Sequence, residues 1–345
     1  MLTQNSLTRH DEKASPEARL LQLITGNWPM QAVYTAAKLE LADHLKSGPK
    51  TAEQLASDTG ADAPSLYRLL RALASLDIFQ ENAERQFGLT PMAEKLRKDA
   101  AGSLWAATIM MGEEHYTAWG RLLDGVRQGE VSFKLQYGEG VFDYLEKHPE
   151  PARIFHRAMT DLTSQTHVAA VEAYDFSRFG KLIDVGGGRG TLIAAILKAN
   201  PRLHGAVFDL PSVMDNTRRY LTEQGVAERC ETIGGDFFAS VPAGWDAYIL
   251  STVIHDWHNA DSLRILRNIH RAMTGPATLL LVEQVVKDGN EADFAKLSDL
   301  NMLVMAGGLE RTAEEFRALL AEAGFELVRI IPTKSASKVI EAVRR

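Results

Sequence analysis

The segment Asp184-Val-Gly-Gly-Gly-Arg-Gly190 carries the first chemical signal in this sequence, with glycines at 186, 188 and 190 where a short apolar run gives way to an amphipathic one. Glycines at a strand-to-helix turn let the backbone pass close to a bound ligand. A dinucleotide fingerprint would read G-x-G-x-x-G, whereas this one reads G-x-G-x-G with Thr191 in place of the third glycine, so there is less reason to expect a pyrophosphate. A bare tight turn would also explain one such cluster. Asp209, however, closes the next expected strand 23 residues after Gly186, where a carboxylate can accept from two ribose hydroxyls. Asp236, in Gly234-Gly-Asp-Phe-Phe238, follows the third expected strand and is placed to accept from an adenine amino group, with the Phe237 ring beside the base. A turn or cap role is the plainer explanation of Asp236 alone. One nucleoside-bearing ligand at the carboxyl ends of the strands accounts for all three features.

His255 follows the strand expected to end near Leu250. Histidine suits proton transfer near neutral pH, although a lone histidine is more often structural. Two carboxylates bear on the choice: Glu283, expected to end the next strand 28 residues on, and Glu310, after the glycine pair 307 and 308, 55 residues on. Their plain alternatives are a surface carboxylate at a strand end and an exposed residue before the helix at Thr312.

The elements that must position these groups alternate strand and helix. Leu182–Val185, a helix from Thr191 to Ala199, Gly205–Asp209, Ala247–Leu250, Leu279–Val282, Leu327–Ile331 and Lys338–Val343 predict an α/β fold, a Rossmann-like, doubly wound and largely parallel sheet. The N-terminal part reads differently. Apolar stripes from Pro16 to Leu45 predict helices. Thr51-Ala-Glu-Gln-Leu-Ala, a turn at Thr59-Gly60, and a second helix opened by Pro64 form a helix-turn-helix pattern, and Phe79–Thr90 reads as a β-hairpin wing. Between them, residues from about Ala101 to Tyr174 are helical, with methionines and aromatics spread along them. The expected domains are 1–100 (helical, winged-helix dimerisation), 101–174 (a helical linker contributing to a pocket) and 175–345 (the sheet).

A winged helix raises the question of DNA, and charge answers it. From His44 to Asp99 there are eight Lys or Arg against eight Asp or Glu, and the whole chain carries a formal −7. Neither offers the basic footprint that a phosphate backbone or an anionic membrane needs. A single cysteine, Cys230, excludes an intrachain disulfide and stands without neighbours at metal-ligand spacing, so no metal is expected. The polar start of the chain lacks an apolar core, and no later run approaches a membrane span, which points to the cytoplasm.

Five ordered segments, DVGGGRG (184–190), FDLP (208–211), GGDFF (234–238), HDW (255–257) and GGLERT (307–312), make nearly the whole chain resemble the S-adenosylmethionine (SAM)-dependent O-methyltransferases typified by plant caffeic acid and bacterial polyketide, carminomycin-type, enzymes. The resemblance implies SAM as cofactor, with S-adenosylhomocysteine as its product. It places Gly186, Gly188, Asp209, Leu210, Asp236, Phe237 and Ser251 around that cofactor. It also implies His255 as general base flanked by Glu283 and Glu310, an acceptor pocket lined by Phe155, Met159, Met302 and Met305, and a homodimer formed through the N-terminal helices. Plant members carry a lysine where Ser251 stands, as well as a substrate-reading asparagine shortly before the glycine pair. Here that stretch is Met302-Leu-Val-Met-Ala306, one residue shorter and apolar, so the substrate should differ from plant phenylpropanoids. Three readings stay open on the sequence. They are O-methylation of a small phenolic or polyketide-like molecule, a SAM-bound relative doing N-methylation or non-methylating chemistry, and a winged-helix regulator that senses a ligand.

Overall fold

The computed structural model describes residues 15–345, so most of the polar leader lies outside the described residues. The chain divides into two compact units. One comprises the described residues through Gly120 together with Phe142–Leu162; the other comprises Arg121–Val141 and Thr163–Arg345. The stretch expected as a helical linker, 101–174, is thus shared between them. No helix of the described residues is long and apolar enough to cross a membrane.

In the N-terminal unit local signals decide the elements. Thr51 caps the helix Ala52–Thr59 in a capping box with Gln54, and Gly60 ends it at φ 71°, a left-handed conformation that costs glycine little. Asp62 caps the next helix, Ala63–Ala74, whose proline sits in the first turn. The wing is an antiparallel hairpin of β2 (Phe79–Glu81) and β3 (Gln86–Leu89), and a two-residue strand, β1 (Lys50–Thr51), pairs with β3, an addition that no sequence signal marked. Leu41, Leu55, Leu66, Leu70, Leu73, Phe79 and Phe87 are buried together beneath these elements. Before them, the helix Pro16–Ile24 buries none of its residues, and Leu20, Leu21, Leu23 and Ile24 are exposed.

The second unit is built on β4 (Lys181–Val185), β5 (His204–Asp209), β6 (Cys230–Gly234), β7 (Ala247–Ser251), β8 (Thr278–Val286), β9 (Arg311–Thr312), β10 (Phe325–Pro332) and β11 (Ser337–Arg344). The main sheet runs β10-β11-β8-β7-β4-β5-β6. Strands β4 to β8 pair in parallel, and β10 and β11 add an antiparallel edge. Successive strands leave β4 in opposite directions, to β5 and β6 on one side and β7 and β8 on the other. Their carboxyl ends therefore open a crevice beside β4, the place where open α/β sheets bind ligands. Apolar side chains cover both sheet faces, one packed by the helices Asn259–Ala272 and Ala313–Glu322, the other by Thr191–Ala199 and Met214–Glu223.

One element is longer than its sequence suggested. The strand expected at Leu279–Val282 continues as β8 to Val286, because β9 pairs with its end at Val285 and Val286. Glu283 therefore lies inside a strand and not at its end. Thr312, the last residue of β9, caps the helix Ala313–Glu322 in a second capping box with Glu315. Thr312→Ala removes that cap and should lower unfolding free energy by about 1 kcal/mol in urea titration; unchanged stability would mean that β9 alone fixes the start of the helix.

Candidate active site

At the end of β4 the chain turns through Gly186 and Gly188, both at positive φ (71° and 54°). A side chain at Gly186 would press on Val253 Cγ2 at 3.0 Å and meet Phe237, whereas one at Gly188 would project into open space, filling the cradle above the strand ends. The Asp209 carboxylate spans this loop: Gly188 N donates to one oxygen at 2.7 Å and Leu210 N to the other at 2.7 Å. Two backbone donors fix the carboxylate's direction. Leu210 beside it is exposed. Asp236, after β6, accepts from Phe238 N at 2.8 Å, so its turn role is real as well. Phe237, Phe238 and Trp257 form a cluster of edge-on rings with centroids 4.8–6.2 Å apart. A crevice with a glycine cradle, two carboxylates at successive strand ends and an aromatic wall fits a nucleoside with a vicinal diol.

Sequence reasoning missed His167. This buried histidine of the helix Pro149–Ala173 places Nδ1 3.0 Å from Thr191 Oγ1 and Nε2 3.3 Å from Ser251 Oγ. It therefore ties the helix after the glycine loop to the end of β7. Burial pushes its pKa down to about 4, so it bridges the two hydroxyls as a neutral ring. A single histidine within an amphipathic helix carried no motif to flag it.

The second constellation surrounds His255, in a short turn, Ile254–Asp256, after β7. Its Nδ1 lies 3.3 Å from Glu283 Oε2 and 3.3 Å from Glu310 Oε1, and its Nε2 lies 3.6 Å from Asp256 Oδ1. Both glutamate side chains are fully buried, which excludes the surface alternatives for them. Burial alone would pull His255 downward, but Glu283, Asp256 and Glu310 together outweigh it and raise its pKa to about 10. Burial pushes Glu283 up to about 7, against the opposing attraction of His255. The cluster is a buried proton store with one strongly basic ring.

Neighbouring groups hold this cluster in shape. Glu283 Oε1 accepts from Val253 N at 3.0 Å and Ile254 N at 2.9 Å, while Glu310 Oε1 accepts from Gln284 Nε2 at 2.9 Å and Ser298 Oγ at 2.8 Å. Arg311, buried, donates to the carbonyls of Ile254 and Trp257 at 3.1 and 2.9 Å and to Asn259 Oδ1 at 2.9 Å, which pins the turn from below. Thr252 enters the turn at φ 51°, a strained conformation for a β-branched residue, with its N–H bound to Val282 O at 3.1 Å. Leu309 N donates to His255 O at 2.8 Å.

The four residues expected to line an acceptor pocket divide between the units. Phe155 and Met159 pack partly buried beside Trp105, Ile154 and Ala158 in the N-terminal unit. Met302 and Met305 lie in the last turn of the helix Phe294–Met305 in the other unit, with Met305 buried and Met302 half-buried.

Gly308 is where the backbone passes closest to the histidine turn, since a Cβ there would stand 1.9 Å from His255 O and 2.5 Å from Asp256 C. Gly308→Ala must displace one backbone or the other, and should cost about 1–3 kcal/mol of unfolding free energy. Chemical denaturation reads it; wild-type stability would show that the two backbones can part without loss.

Comparison with known proteins identifies the family. A family model for the O-methyltransferase domain matches residues 119–326, and one for the O-methyltransferase dimerisation domain matches residues 21–99. A phenazine O-methyltransferase of Lysobacter antibioticus is 47% identical over 94% of this chain and 95% of its own. An 8-amino-8-demethylriboflavin N,N-dimethyltransferase of Streptomyces davaonensis is 37% identical over 97% of each chain. Among solved structures, an O-methyltransferase from neocarzinostatin biosynthesis, in complex with SAM and 2-hydroxy-5-methyl naphthoic acid, superposes with a TM-score of 0.80 at 31% identity, covering 92% of this chain and 96% of that one. The chain belongs to the SAM-dependent O-methyltransferase family and is a homodimeric member of it, built on that family's dimerisation domain.

Proposed function

We propose that this enzyme methylates a hydroxyl of a small aromatic, phenolic or polyketide-like metabolite in the cytoplasm, with His255 as general base. The observation that carries the proposal is the pinning of His255 Nδ1 between two buried glutamates. Bound SAM supplies an electrophilic methyl group on a cationic sulfonium. The acceptor hydroxyl would lose its proton to His255 Nε2 as its oxygen takes the methyl carbon and the carbon–sulfur bond breaks to release S-adenosylhomocysteine, while Glu283 and Glu310 flank Nδ1 and stabilise the imidazolium that forms. Gly186, Gly188, Asp209, Leu210, Asp236, Phe237 and Ser251 hold the cofactor, and Met302, Met305, Phe155 and Met159 are apolar side chains suited to a flat aromatic acceptor. In this reading residues 1–100 dimerise, 101–174 contribute pocket helices and 175–345 bind SAM. The N-terminal helices of each subunit contribute to its partner's pocket.

Aromatic acceptors are supported by the relatives, whose names include phenazine, riboflavin and naphthoate chemistry. The N,N-dimethyltransferase among them puts aromatic amines on the acceptor panel, because a histidine base can serve nitrogen as well as oxygen. Calorimetric titration with SAM and S-adenosylhomocysteine, followed by methyl transfer to phenols, hydroxylated polyketides and aromatic amines, tests the reading. His255→Ala should bind SAM nearly as the wild type does and turn over roughly 10²–10⁴-fold more slowly, whereas Asp209→Ala should weaken SAM binding. Full turnover in His255→Ala would sink the base assignment.

The pH dependence follows from the sign of the shift. A base must be neutral to accept a proton, and the carboxylates raise His255 above its ordinary range, so the competent form is lost as pH falls through that raised value. Turnover at sub-saturating acceptor should climb from neutral into alkaline pH, and His255→Ala should flatten the profile. A wild-type rate that peaks on the acid side would contradict the role of the glutamates.

A further inference from the structure

We propose that Ser298 and Gln284 are positioning residues that keep the Glu310 carboxylate aimed at His255, an inference that rests on His255 being the base. Glu310 Oε1, the oxygen that faces His255 Nδ1 at 3.3 Å, accepts from Ser298 Oγ at 2.8 Å and from Gln284 Nε2 at 2.9 Å. Gln284 Nε2 also donates to Ser298 Oγ at 2.9 Å, so three polar atoms close a ring on the working oxygen. Asp299, next to Ser298, accepts from Glu310 N at 2.9 Å and fixes its backbone from the same helix. A shift of Phe294–Met305 would therefore move the carboxylate with it.

Charge decides what this ring does. Ser298 and Gln284 are neutral donors, so they stabilise the anionic carboxylate without competing with the imidazole for its charge. Glu283 is held differently, by the backbone N–H groups of Val253 and Ile254. Among the hydrogen bonds to the two facing glutamates, those on Glu310 come from side chains, and substitution can therefore tune them. Glu310 held against Nδ1 favours the proton there and leaves the Nε2 lone pair for the acceptor hydroxyl.

Loss of a donor has a signed consequence. The Glu310 carboxylate then turns away from Nδ1, His255 loses a close carboxylate neighbour, and the ring becomes less basic. The acid limb of the kcat profile moves to lower pH while the plateau falls, because the imidazolium formed in turnover is less stabilised. A merely structural role would lower the plateau or the melting temperature and leave the limb in place.

The test uses the full-length homodimer saturated with S-adenosylhomocysteine, with histidine Cε1 labelled and the His255 signal assigned by its absence in His255→Ala. In Ser298→Ala and in Gln284→Leu, His255 should titrate at least about half a pH unit lower than in the wild type, and kcat with SAM and a phenolic acceptor should drop roughly tenfold with KM values within about twofold. Ser298→Thr keeps the hydroxyl and should restore both. Titration of His255 at the wild-type pH in both Ser298→Ala and Gln284→Leu, or failure of the threonine to restore it, would overturn the proposal. The two readings separate cleanly: full turnover in His255→Ala removes the base itself, whereas an inactive His255→Ala beside an unmoved titration in Ser298→Ala removes only the role of the ring.

Discussion

Burying two carboxylates, Glu283 and Glu310, against one imidazole is the constraint that shapes the second unit. An ionised carboxylate taken out of water without compensation costs several kcal/mol, more than most local interactions return. The cluster around His255 answers this with specific donors: backbone N–H groups for Glu283 and side-chain donors for Glu310. Orphaned atoms remain, since His255 Nδ1, Glu283 Oε2 and Glu310 Oε2 are buried without a hydrogen-bond partner.

Holding such a cluster needs rigid walls, and β8 and Arg311 provide them. Extension of β8 past Val282 carries Glu283 and Gln284 along one continuous strand, whose end is clamped by its pairing with β9. Arg311 belongs to that same two-residue strand and reaches under the turn to three acceptors in 254–259. Burial disfavours its charge, yet Glu283, Glu315, Glu310 and Asp299 counter the loss, so the guanidinium and the carboxylates stabilise one another across the turn. The strained Thr252 and the absent side chain at Gly308 are further signs that the turn is held in a conformation its neighbours impose.

Much of this was legible in the residues. Periodicity and capping residues marked both helices of the helix-turn-helix, the hairpin, and the strands of the main sheet, because each is decided by local chemistry such as Thr51 with Gln54 or Asp62 before a proline. The glycine loop and Asp209 were legible because a close backbone approach and a strand-end carboxylate leave a spacing. What stayed hidden depends on pairing across long separations. β1 is too short to show a period, and the true length of β8 is set by β9, some 25 residues away in sequence. His167, Ser298 and Gln284 act through hydrogen bonds to residues far from them in the chain, so nothing in their own neighbourhoods marks them.

The residues that hold the nucleoside in this reading and the base are parts of one packed body. Gly186, in the glycine loop, has no room for a side chain because Val253 fills that space, and Val253 N is one of the two donors that hold Glu283. Phe237 touches the same void, and its ring meets Trp257 two residues beyond His255. Ser251 and Thr191 share His167, which ties the end of β7 to the first turn after the loop. A displacement of the glycine loop is thereby transmitted within two contacts to the turn that carries the imidazole. Methyl transfer demands that an oxygen, a carbon and a sulfur lie in line, a geometry in which errors near 1 Å cost orders of magnitude in rate. Van der Waals contact between the two halves of the site, with no flexible segment between them, is the arrangement that such a tolerance requires.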